Sequence, residues 1–165
     1  MNKITIYTDG SSRGNPGPGG WGVVLISNDN IMELGGAEYH TTNNRMELKS
    51  AIEALKNINN VSNTWKDSEI IINADSEYMV KGITLWISGW IKNNWKAMDK
   101  KPISNQDLWK ELLSLAEGKN IKWQTIRGHV GIDGNERADE IATSFADGNR
   151  VNLYNGPKEE YPYVL

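Results

Sequence analysis

Apolar and polar positions alternate in the first quarter of the chain, which predicts strands rather than helices. The segment from Lys3 to Thr8 alternates, and a second apolar run from Trp21 to Ser27 follows a loop dense in glycine and proline. Asn28 to Asn30 is a turn signal, after which Ile31 to Tyr39 predicts a third strand. Strands joined in this order favour an antiparallel meander.

The spacing changes to a helical one after Thr41. Apolar residues from Met46 to Ile58 recur at helical intervals, and the polar run Thr41–Asn44 before them supplies candidate N-caps. Three consecutive isoleucines, Ile70–Ile72, predict a fully buried strand of a parallel sheet. Further predicted elements are a short helix after Ser76, a helix from a capping box at Ser104–Asp107 to Gly118, a strand over Ile121–Ile126 and a helix over Asn135–Ala146.

This order of elements predicts an α/β fold with a mixed five-stranded sheet and helices on both faces. Three antiparallel strands come first, and two strands parallel to the first are then reached through helices, by right-handed crossovers. The tail after Asp147 contains Gly156-Pro157 and Tyr161-Pro162, and we expect it to have no regular structure.

Composition narrows the class of protein. The 165 residues suit one domain, and no apolar run has membrane-spanning length, so we expect a cytoplasmic protein and, by default, a monomer. Cysteine is absent, which excludes disulfides and thiolate metal sites and leaves hard cations such as Mg²⁺ or Mn²⁺. The net charge is −3, from 18 Lys+Arg against 21 Asp+Glu, so a nucleic acid would bind at a local basic patch.

Four acidic residues lie on elements that the predicted fold brings together. Asp9 ends the first strand and Asp75 the fourth, so both carboxylates are expected at one edge of the sheet. Glu47 and Asp139 each lie about one turn into a helix. Clustered carboxylates repel one another unless cations separate them. Two Mg²⁺ ions roughly 3.5–4 Å apart can promote hydrolysis of a phosphodiester.

Each acid also has an ordinary structural interpretation. Asp75 with Ser76 could cap the next helix, and Glu47 could form a capping box with Asn44. Asp9 could be a turn residue, and Asp139 could be solvated. Taken singly these alternatives stay open, whereas the convergence of all four favours metal binding.

One histidine is placed for proton transfer. His129 lies in a glycine-flanked loop just before the last helix, and it could shuttle a proton near neutral pH.

A series of motifs follows one another along the chain to about Ala146: Thr8–Ser11, Gly14–Gly20, Thr42–Glu47, Ala74–Tyr78, Gly82–Thr84, Asp99–Pro102, Asp107–Trp109, Gly128-His129 and Asn135–Asp139. This series resembles type 1 ribonuclease H, and is similar to the bacterial enzymes in particular. It implies a catalytic domain over residues 1–147, with residues 148–165 as an irregular tail of the same domain.

The resemblance implies an endonuclease that hydrolyses the RNA strand of RNA–DNA hybrids and leaves 5′-phosphate and 3′-hydroxyl ends. The cofactor it implies is Mg²⁺, or alternatively Mn²⁺, with two ions when substrate is bound. By the same resemblance the four acids are the metal ligands, and His129 assists product release.

The resemblance also assigns substrate contacts. Asn15, Asn43, Asn44 and Glu77 match contacts to the minor groove of the RNA strand, where 2′-hydroxyls distinguish RNA from DNA. Thr42 and Arg45 match positions that bind a DNA phosphate or support that pocket. Helix capping is a structural alternative for the asparagine pair, and both roles are compatible.

The chain departs from the family pattern in two regions. Position 77 is Glu where many relatives carry Gln, and position 74 is Ala where they often carry Thr. The tryptophan-rich segment after Trp86 matches a basic protrusion that grips the hybrid. In this chain it keeps Lys92, Lys96, Lys100 and Lys101, but uncharged residues dilute the charge. We therefore expect weak hybrid affinity, and we interpret Trp86, Trp90 and Trp95 as packing residues rather than base-stacking ones.

Two competing hypotheses remain. Integrases, transposases and resolvases share an acid cluster of this kind, but they do not match the asparagine and histidine segments. A non-catalytic module that binds hybrids would have no need of all four acids.

Overall fold

A computed structural model describes residues 2–126 and 133–165 of the chain. The strands are β1 (Asn2–Ser12), β2 (Gly17–Ile26), β3 (Asn30–Thr41), β4 (Ser68–Ala74), β5 (Ile121–Thr125) and β6 (Asn155–Pro157). The helices are α1 (Asn43–Lys56), α2 (Ile58–Val61), α3 (Glu77–Lys81), α4 (Ile87–Lys92), α5 (Gln106–Ala116) and α6 (Asp133–Ala146). No helix in these two ranges combines the length and the apolar character needed to cross a membrane.

The sheet is mixed, as the sequence predicts, with the order β5-β4-β1-β2-β3-β6. β1, β2 and β3 form an antiparallel meander, while β4 and β5 run parallel to β1. The expectation of five strands and an irregular tail is wrong in one respect. Residues Asn155–Pro157 form a sixth strand, antiparallel to the start of β3.

Helices cover both faces of the sheet. The larger core includes Ile4, Ile6 and Leu25 of the sheet and packs against α1 and α5. The smaller core lies on the opposite face, where Val24 and the apolar side of α6 meet. Alternation along the strands directs neighbouring residues to opposite faces, which explains why the central strands are apolar on both sides.

Helix α6 lies unusually close to the sheet. A Cβ added to Gly22 of β2 would come within 2.4 Å of the Ala138 carbonyl oxygen, so only glycine permits this approach. The backbone of α6 is therefore seated directly on β2.

The helix starts agree with the sequence in two cases out of three. Thr42 caps α1 by accepting from Arg45 N at 3.2 Å, and Ser76 caps α3 by accepting from Met79 N at 3.3 Å. The capping box expected at Ser104–Asp107 is wrong. Asn105 precedes α5 with a φ of 61° and makes no side-chain capping bond.

Candidate active site

Two of the predicted acids lie side by side at the carboxyl end of the β1–β4 pairing. The prediction that Asp9 ends the first strand is wrong, because β1 continues to Ser12 in its pairing with β2. Thr8 pairs with Ala74 at the end of the β1–β4 ladder, so Asp9 and Asp75 come next on adjacent strands. Asp9 is only 4% exposed. Ser76 supplies the cap of α3, which leaves the Asp75 carboxylate available for the site.

The third acid is brought in by close packing of α1 on β1. A Cβ on Gly10 would lie 2.3 Å from Glu47 N, so glycine at this position lets α1 approach the end of β1. Glu47 is 8% exposed. Because Thr42 is the N-cap of α1, Glu47 lies too far into the helix to form a capping box with Asn44.

These three carboxylates form a compact cluster. Asp9, Glu47 and Asp75 each offer an oxygen, and these oxygens lie within 4.8 Å of one another. In the described part of the chain, the buried Glu47 Oε2 has no hydrogen-bond partner. Asp139, in the second turn of α6, lies close enough to Asp9 to contribute to its altered pKa. The fold thus brings together all four acids that the sequence singled out.

The cluster is electrostatically unfavourable without cations. Burial, and then the neighbouring carboxylates, raise the pKa of Asp9 far above its ordinary value. Burial and the charge of Asp75 raise the pKa of Glu47 as well. Divalent cations such as Mg²⁺ bind carboxylate oxygens and would favour the ionised forms. The clustered acids and the unpartnered Glu47 oxygen therefore fit a divalent metal ion.

Several predicted substrate contacts lie around the start of α1, the helix that carries Glu47. Asn43 Oδ1 accepts from Ser12 N at 2.6 Å and from Ser12 Oγ at 3.1 Å, which ties α1 to the end of β1. Thr42 is half-buried and caps the helix, while Asn15 and Asn44 are exposed. Asn43 and Asn44 therefore lie in the first turn of α1, ahead of Glu47 on the same helix, and Asn15 lies on the loop that follows β1.

Arg45 is engaged by the protein itself. Its guanidinium donates to Asp107 Oδ1 at 3.0 Å and Oδ2 at 2.8 Å, and to Asn105 Oδ1 at 3.2 Å. Asn105 Nδ2 in turn donates to the Tyr78 hydroxyl at 3.1 Å. This geometry agrees with a supporting role for Arg45, because its guanidinium is already hydrogen-bonded to Asp107 and Asn105.

The tryptophan-rich segment begins at a π-helical turn, Gly82–Trp86, which leads into α4. Trp90 and Trp95 pack against the larger core, as expected for packing residues. Trp86 remains 39% exposed, with its ring 6.2 Å from that of Tyr78. Lys92, Lys96 and Lys100 are exposed beyond it.

Glu77 and His129 are the remaining predicted site residues. Glu77 is exposed in the first turn of α3, with its carboxylate 3.4 Å from Lys81 Nζ. His129 lies outside the described residues, so its role stays a prediction.

Sequence reasoning missed a buried ion pair on the opposite side of α6. Arg137 pairs with Glu33 of β3, and neither side chain is more than 3% exposed. The available signal was that Glu33 alternates in phase with the buried Ile31.

Carboxylates at the carboxyl end of the pairing between two parallel strands define a candidate cation site of a phosphodiester-hydrolysing α/β protein. The chain matches the family model described as RNase H over residues 1–147, and it belongs to that family. A ribonuclease H of Maricaulis maris (strain MCS10) is 50% identical over 142 residues, covering 86% of this chain and 92% of the relative. One of Geotalea uraniireducens (strain Rf4) is 46% identical over 156 residues, covering 94% and 99%.

Solved structures agree with this assignment. LC9-RNase H1, a type 1 RNase H with the type 2 active-site motif, matches with a TM-score of 0.81 at 32% identity, over 97% of this chain and 80% of that one. LC11-RNase H1 in complex with an RNA/DNA hybrid matches with a TM-score of 0.66 at 26% identity, over 88% and 97%. The predicted family and its fold are confirmed.

Proposed function

We propose that this protein is a ribonuclease H, an endonuclease that hydrolyses the RNA strand of RNA–DNA hybrids and leaves 5′-phosphate and 3′-hydroxyl ends. The observation that carries the proposal is the convergence of Asp9, Glu47 and Asp75 within 4.8 Å at the sheet edge, with Asp139 beside them. Residues 1–147 carry this machinery, and the tail belongs to the same domain.

In the proposed mechanism the four acids would hold Mg²⁺, with two ions when substrate is present. The bound metal would supply activation of a water and neutralisation of charge at the phosphodiester. Asp9 and Glu47 contribute ligands that are buried and fixed by β1 and α1, so little reorganisation is needed at the reacting phosphate. His129 accepts or donates a proton in the last step and speeds release of the product.

Selection of RNA over DNA rests on polar groups beside the acids. The amides of Asn15 and Asn44 can both donate and accept, which suits a 2′-hydroxyl that does both. Because Asn43 Oδ1 is bonded to Ser12, its amide NH₂ is the group that remains for the RNA strand. Ionised Glu77 can only accept, so it requires the 2′-hydroxyl as donor.

The DNA strand is bound by a separate set of residues. Thr42, supported by Arg45, receives a DNA phosphate at the start of α1. Trp86, Lys92, Lys96 and Lys100 lie along the exposed side of the protrusion and contact the backbone further along the hybrid. A protrusion with so few charges makes a weak electrostatic contact.

One assay tests the function against its competitors. Labelled RNA–DNA hybrid, single-stranded RNA and duplex DNA are each incubated with the protein in Mg²⁺ or in EDTA. Cutting of RNA only within the hybrid, and only with Mg²⁺, supports the proposal. Cutting of duplex DNA would favour an integrase-type nuclease. Binding of hybrid without cleavage under any divalent metal would leave the binding module.

A further inference from the structure

The pair of Glu33 and Arg137 joins α6 to the strand on the far side of the site. Arg137 Nε donates to Glu33 Oε2 at 2.7 Å, and Arg137 Nη2 donates to Glu33 Oε1 at 2.9 Å. Side-chain exposure is 3% for the arginine and 0% for the glutamate. A bidentate, desolvated pair of this kind fixes both orientation and distance.

The C-terminal segment closes over this ion pair. Tyr154 N donates to Glu33 Oε1 at 2.9 Å, and the Tyr161 hydroxyl donates to Glu33 Oε2. The Asn152 carbonyl accepts from Arg137 Nη2 at 3.0 Å. The ring of Tyr163 lies 4.2 Å from the guanidinium carbon. We call residues 152–163 the C-terminal strap.

The strap is part of the folded sheet rather than a loose end. Its strand β6 pairs with Asn30–Met32 of β3, and Glu33 N donates to the Tyr154 carbonyl at 2.7 Å. The match to the family model covers residues 1–147, so the strap lies outside the matched range.

Arg137 and Asp139 lie on opposite sides of α6. Two residues rotate the helix by roughly 200°, so one side chain points to β3 while the other points to Asp9 on β1. Ala138 lies between them against Gly22. An anchor at Arg137 therefore sets the rotation of α6 about its axis, and with it the reach of Asp139 towards Asp9.

We infer that the C-terminal strap positions Asp139 in the metal site by locking Arg137 against Glu33. Arg137 and Tyr161 are positioning residues in this scheme, and the inference rests on the proposed role of Asp139 as a metal ligand. The competing explanation is that the glycine contact on β2 alone sets the helix, with the strap adding only stability.

The test uses the full chain with Tyr161→Phe, which removes the hydroxyl that donates to Glu33 and keeps the aromatic ring. Tyr154→Phe is the matched control, because its hydroxyl bonds to the Pro157 carbonyl inside the strap. Mg²⁺ is titrated without substrate while the backbone amide NMR shifts of Asp9 and Asp139 are followed. Thermal melts, kcat and KM for the hybrid complete the comparison.

We expect Tyr161→Phe to shift the Asp139 amide in EDTA and to weaken Mg²⁺ binding roughly three- to tenfold. Cleavage should fall at low Mg²⁺, recover at excess Mg²⁺ and keep its KM, whereas Tyr154→Phe should match the wild type. Arg137→Lys, which keeps the charge but loses the fork, should show a larger effect of the same kind.

A lower melting temperature for Tyr161→Phe with unchanged Mg²⁺ affinity and amide shifts would overturn the inference, and would leave the strap a purely stabilising role. The result for Tyr161→Phe decides the question even if Arg137→Lys fails to fold. Because Mg²⁺ binding is measured without hybrid, a wild-type protein that cuts nothing would refute the proposed function separately from the strap.

Discussion

Asp9 is the residue at which burial and charge conflict most strongly, since a nearly inaccessible carboxylate faces other acids. We predict that Asp9→Asn or Asp75→Asn lowers cleavage at least roughly a thousandfold, about 4 kcal/mol of transition-state stabilisation, because each removes a metal ligand. Single-turnover assays on labelled hybrid measure the loss. Asp29→Asn, in the turn between β2 and β3, is the control and should cleave normally.

The same conflict predicts a gain in stability. Without metal, Asp9→Asn removes the cost of keeping an ionisable carboxyl buried beside other acids, so its melting temperature in EDTA should rise by a few degrees, about 1 kcal/mol. Asp29→Asn should melt with the wild type. A lower melting temperature for Asp9→Asn in EDTA would mean that the carboxylate is better satisfied than the cluster implies.

His129 is expected to act differently from the acids, because a proton shuttle can be replaced in part by solvent. His129→Ala should slow steady-state turnover by about a hundredfold or less, while binding of the hybrid stays the same. Added imidazole should restore part of the rate. A variant as inactive as Asp75→Asn would rule out the shuttle.

Among the elements, the tryptophan-rich protrusion gives the clearest prediction about affinity for the RNA–DNA hybrid. Its uncharged positions Asn93 and Asn94 lie between the exposed lysines. We predict a shallow dependence of hybrid affinity on salt, and Asn93→Lys with Asn94→Lys should steepen the log–log slope by about one per added charge. Fluorescence anisotropy across a salt series measures both slopes. A steep wild-type slope would contradict the expected weak grip.

The local sequence pattern was sufficient to predict elements whose own side chains satisfy their backbone hydrogen-bonding groups. Thr42 and Ser76 cap their helices as the sequence implies, and the parallel pairing of β1 with β4 places Asp9 beside Asp75. Asn105 fails as a cap because its side chain is bonded to Arg45 and Tyr78, partners far away in sequence. Strand β6 was missed for the same reason, since its Gly-Pro pair favours a turn locally and only β3 makes it a strand.

At the scale of the whole molecule, two groups of carboxylates have opposite effects on folding stability as the pH changes. Burial alone would raise the pKa of Glu33, but hydrogen bonds from Arg137, Tyr161 and Tyr154 N lower it overall. Its contribution to stability is therefore present above the ordinary carboxyl pKa and is lost as the pH falls. Asp9 and Glu47 behave in the opposite way, because their pKa values are raised in the folded state.

Because the pKa values of Asp9 and Glu47 are raised, we predict that the metal-free protein loses stability as the pH increases. The folded state holds more protons than the unfolded state from about pH 4 upwards, through neutral pH, so the free energy of unfolding falls there. Mg²⁺ binds the ionised acids, so its stabilising effect should grow with pH and flatten this decline. Thermal melts from pH 5 to 9, about the range that spans these groups, in EDTA and in Mg²⁺, measure both trends. A shift by Mg²⁺ that is equal at every pH would mean that the acids are already ionised without metal, contrary to the burial and mutual repulsion of the cluster.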